Sequence, residues 1–219
     1  TEDMLLIEPG GIQDYVTANT EYSITLDEGE TFSAAPYGTG DNDPWDISRT
    51  EDLAGTKIES SKPIAVNTKD DLVSSLGVDL VADQLVGVSN LGRNYIVMQN
   101  VNLTNSDEYA YILSINDNTE IFVEDEVGNT IDNFTLNKGV QQSIHIDENK
   151  YVYSPDTSFY VFHASGVNYS SGGAQMGGAM LPNITECTGS YEVSFVRSLS
   201  DPFYMNVMVR DGGQDHFEI

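Results

Sequence analysis

Apolar and polar residues alternate with a period of two along much of the chain. Tyr22-Ser-Ile-Thr-Leu26 alternates, as do Lys57-Ile-Glu-Ser60, Glu120-Ile-Phe-Val-Glu124 and Ser143-Ile-His-Ile-Asp147. A period of two sends successive side chains to opposite faces of a strand. Four further runs are rich in β-branched and aromatic residues: residues 94–99, 159–162, 191–196 and 203–209. All are short and bounded by Gly, Asn, Asp or Pro, which predicts strands. Turn chemistry recurs at Asp27-Glu-Gly29, Val127-Gly-Asn129, Asn137-Lys-Gly139 and Asp211-Gly-Gly213. Helical periodicity is weak. Its best instances, residues 70–76 and 79–85, predict two turns at most. The pattern therefore predicts an all-β chain with antiparallel β-sandwich packing, or failing that a barrel.

A faint repeat subdivides it. Thr25-Leu-Asp-Glu-Gly29 matches Thr135-Leu-Asn-Lys-Gly139 at an offset of 110 residues, and each is followed by strand, Ser-rich turn and strand. This predicts two similar β units in tandem, residues 1–95 and 96–219, the first carrying an acidic insertion at 35–53. One continuous domain with recurrent turn chemistry is the alternative.

Charge narrows the class of partner. Nine Lys+Arg stand against 35 Asp+Glu, a formal net charge of -26 over 219 residues. Nucleic acid is bound through clustered Lys and Arg, and the nine cations are scattered, so nucleic acid is not expected as a partner and anionic membrane surfaces are poor candidates. A single cysteine, Cys187, excludes an internal disulfide. A chain of this length buries about 70% of its unfolded surface and needs no staple. No run of 18 apolar residues occurs, so no membrane span is expected. The first residues lack the basic and apolar regions of a signal peptide and an initiator Met. The chain reads as a piece of a larger polypeptide, with neighbouring domains as partners. Few Lys among many Asp, Asn, Thr, Ser and Gly point to an extracellular or cell-surface location.

Candidate chemistry concentrates in the insertion. Asp41, Asp43 and Asp46 sit in Asp41-Asn-Asp-Pro-Trp-Asp46, and Ca²⁺ takes six to eight oxygens from such loops. The EF-hand spacing is not met, and a solvated loop is the competing reading. Calcium is the one cofactor the sequence suggests. Trp45 beside Tyr37 and Asp46 forms a candidate ligand site: an aromatic ring stacks on a sugar while carboxylates accept from its hydroxyls. The competing reading is that Trp45 plugs the insertion into the core. His145, His163 and His216 lack zinc-site spacing; His145 is expected on the solvent face of a strand and His163 in a hydrogen-bonded structural role. No Gly-x-Ser-x-Gly elbow occurs. Cys187 adjoins Glu186, whose charge disfavours a thiolate, and no carboxylate pair stands out as a glycosidase centre. The Gly-rich stretch 170–179 lacks the lysine of a P-loop. Asn-x-Ser/Thr sequons occur at Asn102, Asn133, Asn168 and Asn183.

Three segments carry a resemblance. They are Leu53-Ala-Gly-Thr-Lys-Ile-Glu-Ser-Ser-Lys-Pro-Ile-Ala-Val66, residues 83–97, and Gly177-Gly-Ala-Met-Leu-Pro182 followed by residues 187–197. Together they resemble the N-terminal domain family of IgG-Fc-binding proteins, more closely in its bacterial form in large Bacteroidetes surface proteins. The resemblance covers residues from about 26 to 210 and rests on turn motifs. It implies an extracellular β-rich module and carries over no catalytic residue. Fc binding belongs to the animal protein and is not carried over. The expected function is therefore non-catalytic: adhesion or ligand binding, with a glycan or a host or environmental surface protein as partner. A structural spacer without ligand is the alternative, and a carbohydrate-active enzyme comes third.

Overall fold

The structure is a computed structural model that describes residues 4–11, 13–36, 53–70, 81–100, 107–167, 177–185, 192, 194 and 206–209. In chain order its strands are β1 (Met4–Ile7), β2 (Gln13–Val16), β3 (Ser33–Pro36), β4 (Asn67–Asp70), β5 (Val81–Gln84), β6 (Asn94–Val97), β7 (Asp107–Ser114), β8 (Thr119–Glu124), β9 (Thr130–Leu136), β10 (Gln141–His145), β11 (Lys150–Tyr153), β12 (Phe159–Val167) and β13 (Gly177–Met180). One 3-10 turn at Val88–Asn90 is the single helical element among the described residues. The expected all-β class holds.

Two four-stranded antiparallel sheets carry the core, in the orders β10-β7-β12-β13 and β6-β11-β8-β9. β7 explains why they pack face to face. Its buried positions Glu108, Ala110, Ile112 and Ser114 alternate strictly with half-buried ones, so one face turns inward. Opposite them on β12 lie Ser165, His163, Val161 and Phe159, and directly paired residues project from the same face. The second sheet answers with Tyr95, Val97, Ile121, Val123, Leu136 and Val152. Both inner faces merge into a single apolar cluster, the signature of a β-sandwich. Each large side chain fully buried there contributes about 1.5–3 kcal/mol.

The N-terminal residues form a three-stranded sheet, β2-β1-β3, and β4 pairs with β5. β5 joins the sandwich at β13: Met180 N–H donates to Asp83 Oδ2 at 2.6 Å. Tyr160 Oη donates to Val86 O at 2.9 Å along the same side. A second junction is a close glycine contact. Gly55, at φ +83°, lies so near the Gly139 carbonyl that a Cβ would overlap it. The 53–56 turn is thereby seated on the β9–β10 turn.

Several expected elements came out differently. Residues 79–85 were read as a short helix, but Val81–Gln84 is a strand paired in register with Asn67–Asp70. Leu85 N–H extends that ladder to Val66 O at 2.8 Å, and a cross-strand ladder outweighs a marginal local helical preference. Residues 22–26 and 57–60 alternate in polarity yet form no strand with a partner among the described residues. The helix expected at 70–76 and the turn at 211–213 lie outside the described residues, apart from Asp70, which ends β4.

Tyr22 anchors the N-terminal part. Its hydroxyl donates to Glu8 Oε1, and its ring stacks on Phe32 with centroids 6.3 Å apart. The hydrogen bond to Glu8, before any effect of burial or charge, pushes the phenol up to about 12. The folded state thus favours the neutral phenol. That contribution is complete below the ordinary phenol value and is lost as pH rises through about 12. Phenolate absorbance is expected to show one group ionising near 12, and Tyr22→Phe removes it. Persistence of that group in Tyr22→Phe would refute the assignment.

Candidate functional site

The residues nominated from sequence, Tyr37, Asp41, Asp43, Trp45 and Asp46, lie outside the described residues, as do Cys187 and His216. Of the four sequons, two fall on described positions. Asn133 is exposed on β9. Asn183 is buried, and its Oδ1 accepts from Thr185 N–H and Thr185 Oγ1, each at 3.2 Å. Among the described residues no group of three or more His, Cys, Asp or Glu is placed to hold a metal ion. Two other constellations emerge from the fold.

The first is polar and sits at one end of the sandwich. His163 and Glu108 both face inward on adjacent strands, β12 and β7, and His163 Nε2 meets Glu108 Oε2 at 2.9 Å. The carboxyl of Glu108 is 4% exposed. Its other oxygen accepts from Asn100 N–H at 2.9 Å. The network continues through neighbouring loops: Gln99 N–H donates to Asn149 Oδ1 at 2.9 Å, and Asn149 Nδ2 donates to Glu126 Oε1 at 2.8 Å. Nearby, Lys150 is buried with its Nζ 2.7 Å from Asp147 Oδ1. That hydrogen bond holds the Asp147 carboxyl below its usual range. His145 faces solvent, as expected, 3.5 Å from Asp107 Oδ1. His163 holds the hydrogen-bonded position expected of it. These groups satisfy one another, so the cluster reads as a clamp joining β6, β7, β12 and the 124–129 and 146–149 loops. His163→Ala is expected to cost about 1–3 kcal/mol, because it leaves the Glu108 oxygen buried without its partner. Chemical denaturation checks this, and His163→Gln, which keeps a donor, recovers part of the loss. No loss in His163→Ala would show that the pair carries no stability.

The second constellation is aromatic and lies on the outer face of β6-β11-β8-β9. Tyr151 and Tyr153 occupy the outward positions of β11, either side of buried Val152. Tyr153 is the cross-strand partner of Phe122. The Phe122 and Tyr153 centroids are 5.3 Å apart at 19°, and those of Tyr153 and Tyr151 are 5.1 Å apart at 21°. The three rings form an offset stack and stay partly exposed. Tyr151 Oη donates to Asn94 Oδ1 at 2.5 Å. Glu124 lies directly across from Tyr151. Burial first, then the nearby Glu124 charge, raises the phenol pKa of both Tyr151 and Tyr153 above the ordinary value.

The described residues thus form a sandwich with a hydrogen-bonded polar end and a partly exposed aromatic sheet face. The chain matches the model of the IgGFc binding protein family over residues 6–218 and belongs to that family. The family is one of binding modules and not a known enzyme family. No curated protein and no solved structure matches the chain. Among the described residues no helix is long and apolar enough to cross a membrane.

Proposed function

We propose that this chain is a non-catalytic extracellular module of a large bacterial cell-surface protein, acting in adhesion or ligand binding. The observation that carries this reading is the stacked aromatic face of the second sheet. Large rings left partly exposed on a flat sheet supply the contact area typical of protein-binding surfaces. Family membership supports binding of other proteins, and the acidic, lysine-poor composition supports an extracellular setting. The partner is a host or environmental surface protein, or a glycan, presented next to the neighbouring domains of the same polypeptide.

The test is a binding panel. The immobilised chain is exposed to purified extracellular proteins, the immunoglobulin Fc fragment included, and to soluble oligosaccharides. Saturable binding that free chain competes away supports the module reading. Absence of any saturable binding would favour a ligand-free spacer instead.

A further inference from the structure

We infer that the outer face of β6-β11-β8-β9 is a docking strip for an extended, arginine-bearing segment of a partner protein. This deepens the binding-module reading and rests on it. Three observations carry the choice of occupant.

The first is charge. The outward strand positions on this face include Asn94, Ile96, Tyr151, Tyr153, Glu120, Phe122, Glu124, Thr130, Asn133 and Thr135. Every charged group among them is a carboxylate. Three described cations are engaged away from these positions: Lys57 with Glu59, Lys150 with Asp147, and Arg93 Nη1 with Pro155 O. A second copy of so acidic a chain is thus a poor occupant, and a basic segment is a good one.

The second is ring geometry. With centroids 5.1–5.3 Å apart and planes within 19–21°, the rings lean on one another and do not lie flat on the sheet. A pyranose stacks on a broad open ring face, and each of these rings turns a face to a neighbouring ring instead. A guanidinium is narrow and planar. It stacks beside such rings through cation–π attraction and reaches a carboxylate in the same plane. Glu124, next to both tyrosines, already accepts from the Tyr153 hydroxyl and has further carboxylate lone pairs to accept that fork.

The third is size. Four strands about 4.8 Å apart and four to seven residues long present a strip of roughly 20 by 17 Å. That is about half the area per partner of a standard protein–protein interface, and it suits a single extended chain.

The experiment maps the amide spectrum of the chain while an arginine–glycine decapeptide is added at physiological salt, with a glutamate–glycine decapeptide and a soluble hexasaccharide in parallel. The arginine peptide alone is expected to move the Phe122, Glu124, Tyr151 and Tyr153 amides. Tyr153→Ala and Glu124→Gln are each expected to weaken binding about tenfold. Glu28→Gln with Glu30→Gln, in a turn that belongs to no strand of this sheet, leaves binding unchanged. Glu124→Gln keeps the proposal testable should Tyr153→Ala fail to fold. The proposal is overturned if the arginine peptide moves no amide or moves amides elsewhere, if the turn variant weakens binding equally, or if the saccharide moves this strip instead. A panel partner whose binding survives Tyr153→Ala and Glu124→Gln would sink the strip and leave the module reading standing.

Discussion

Gly92→Ala is expected to destabilise the protein by about 3 kcal/mol, although it adds a single methyl group. Gly92 forms an antiparallel bridge with Phe159, and Phe159 N–H donates to Gly92 O at 3.1 Å. Gly92 N–H in turn donates to Tyr95 Oη at 3.1 Å, and that hydroxyl donates to Phe159 O at 2.6 Å. The remaining side of Gly92 is covered by Asn183. A Cβ there would come within 2.6 Å of Asn183 Oδ1 and closer still to its Cβ and Cγ. Asn183 is 3% exposed, so it has little room to move. Either Asn183 gives up its bonds to Thr185, or the bridge to Phe159 opens. Overpacking costs about 1–3 kcal/mol, and a buried polar group left without a partner adds about 1–3 more. The midpoint of urea unfolding reads the effect. The cause is separable: Gly92→Ala with Asn183→Ala is expected to recover part of the loss. If the double variant is as unstable as the sum of the singles, Asn183 is not the obstacle.

Phe159→Ala is the second large effect, expected at about 3–5 kcal/mol. The ring is fully buried, and it meets Tyr95 with centroids 4.9 Å apart at 57°. It stands where the inner faces of both sheets converge, so its removal leaves a cavity lined by strands that cannot close over it. Against a total stability of about 5–15 kcal/mol for a domain, that is about a fifth of the whole or more. Thermal and chemical unfolding both measure it, and a loss below about 1 kcal/mol would mean that the ring is not central to packing. Because Tyr95 touches Phe159 and bonds Gly92, the two substitutions share a neighbourhood. Their combined cost is expected to fall short of the sum.

Much of the sandwich was legible in the sequence because its strands carry the alternation of one buried and one open face. Residues 94–97, 120–124, 143–145 and 159–162 all lie in the expected strands. β7, one of the two central strands of its sheet, shows no such alternation in the sequence. Its outward positions are Tyr109, Tyr111 and Leu113, so apolar residues fall on both faces and the period of two disappears. An acid, Glu108, also takes an inward position. Residues 22–26 show the reverse. They alternate, yet alternation marks a strand only where another edge is there to pair. The Glu108–His163 contact joins residues 55 apart and depends on register between β7 and β12. Local pattern carries no such information. The aromatic face has a faint signal in the sequence: Lys150-Tyr-Val-Tyr153 puts two tyrosines on one face of a strand. Their partner Phe122 comes from the adjacent strand, which only the pairing reveals.

The strand order also sets how the chain reaches its fold. β11 pairs with β6 through Lys150 and Val97, and β12 pairs with β7 through Phe159 and Ser114. Each of these ladders closes a loop of some dozens of residues before its first bond forms. Folding therefore has to meet the loop-closure entropy before the core repays it, which places this chain among the slow β folders, in milliseconds to seconds. The β8–β9 hairpin has the shortest loop to close within the two core sheets. Its short turn brings Thr119–Glu124 onto Thr130–Leu136 with little loop to close. It is the natural nucleus onto which β11, and then β6, add.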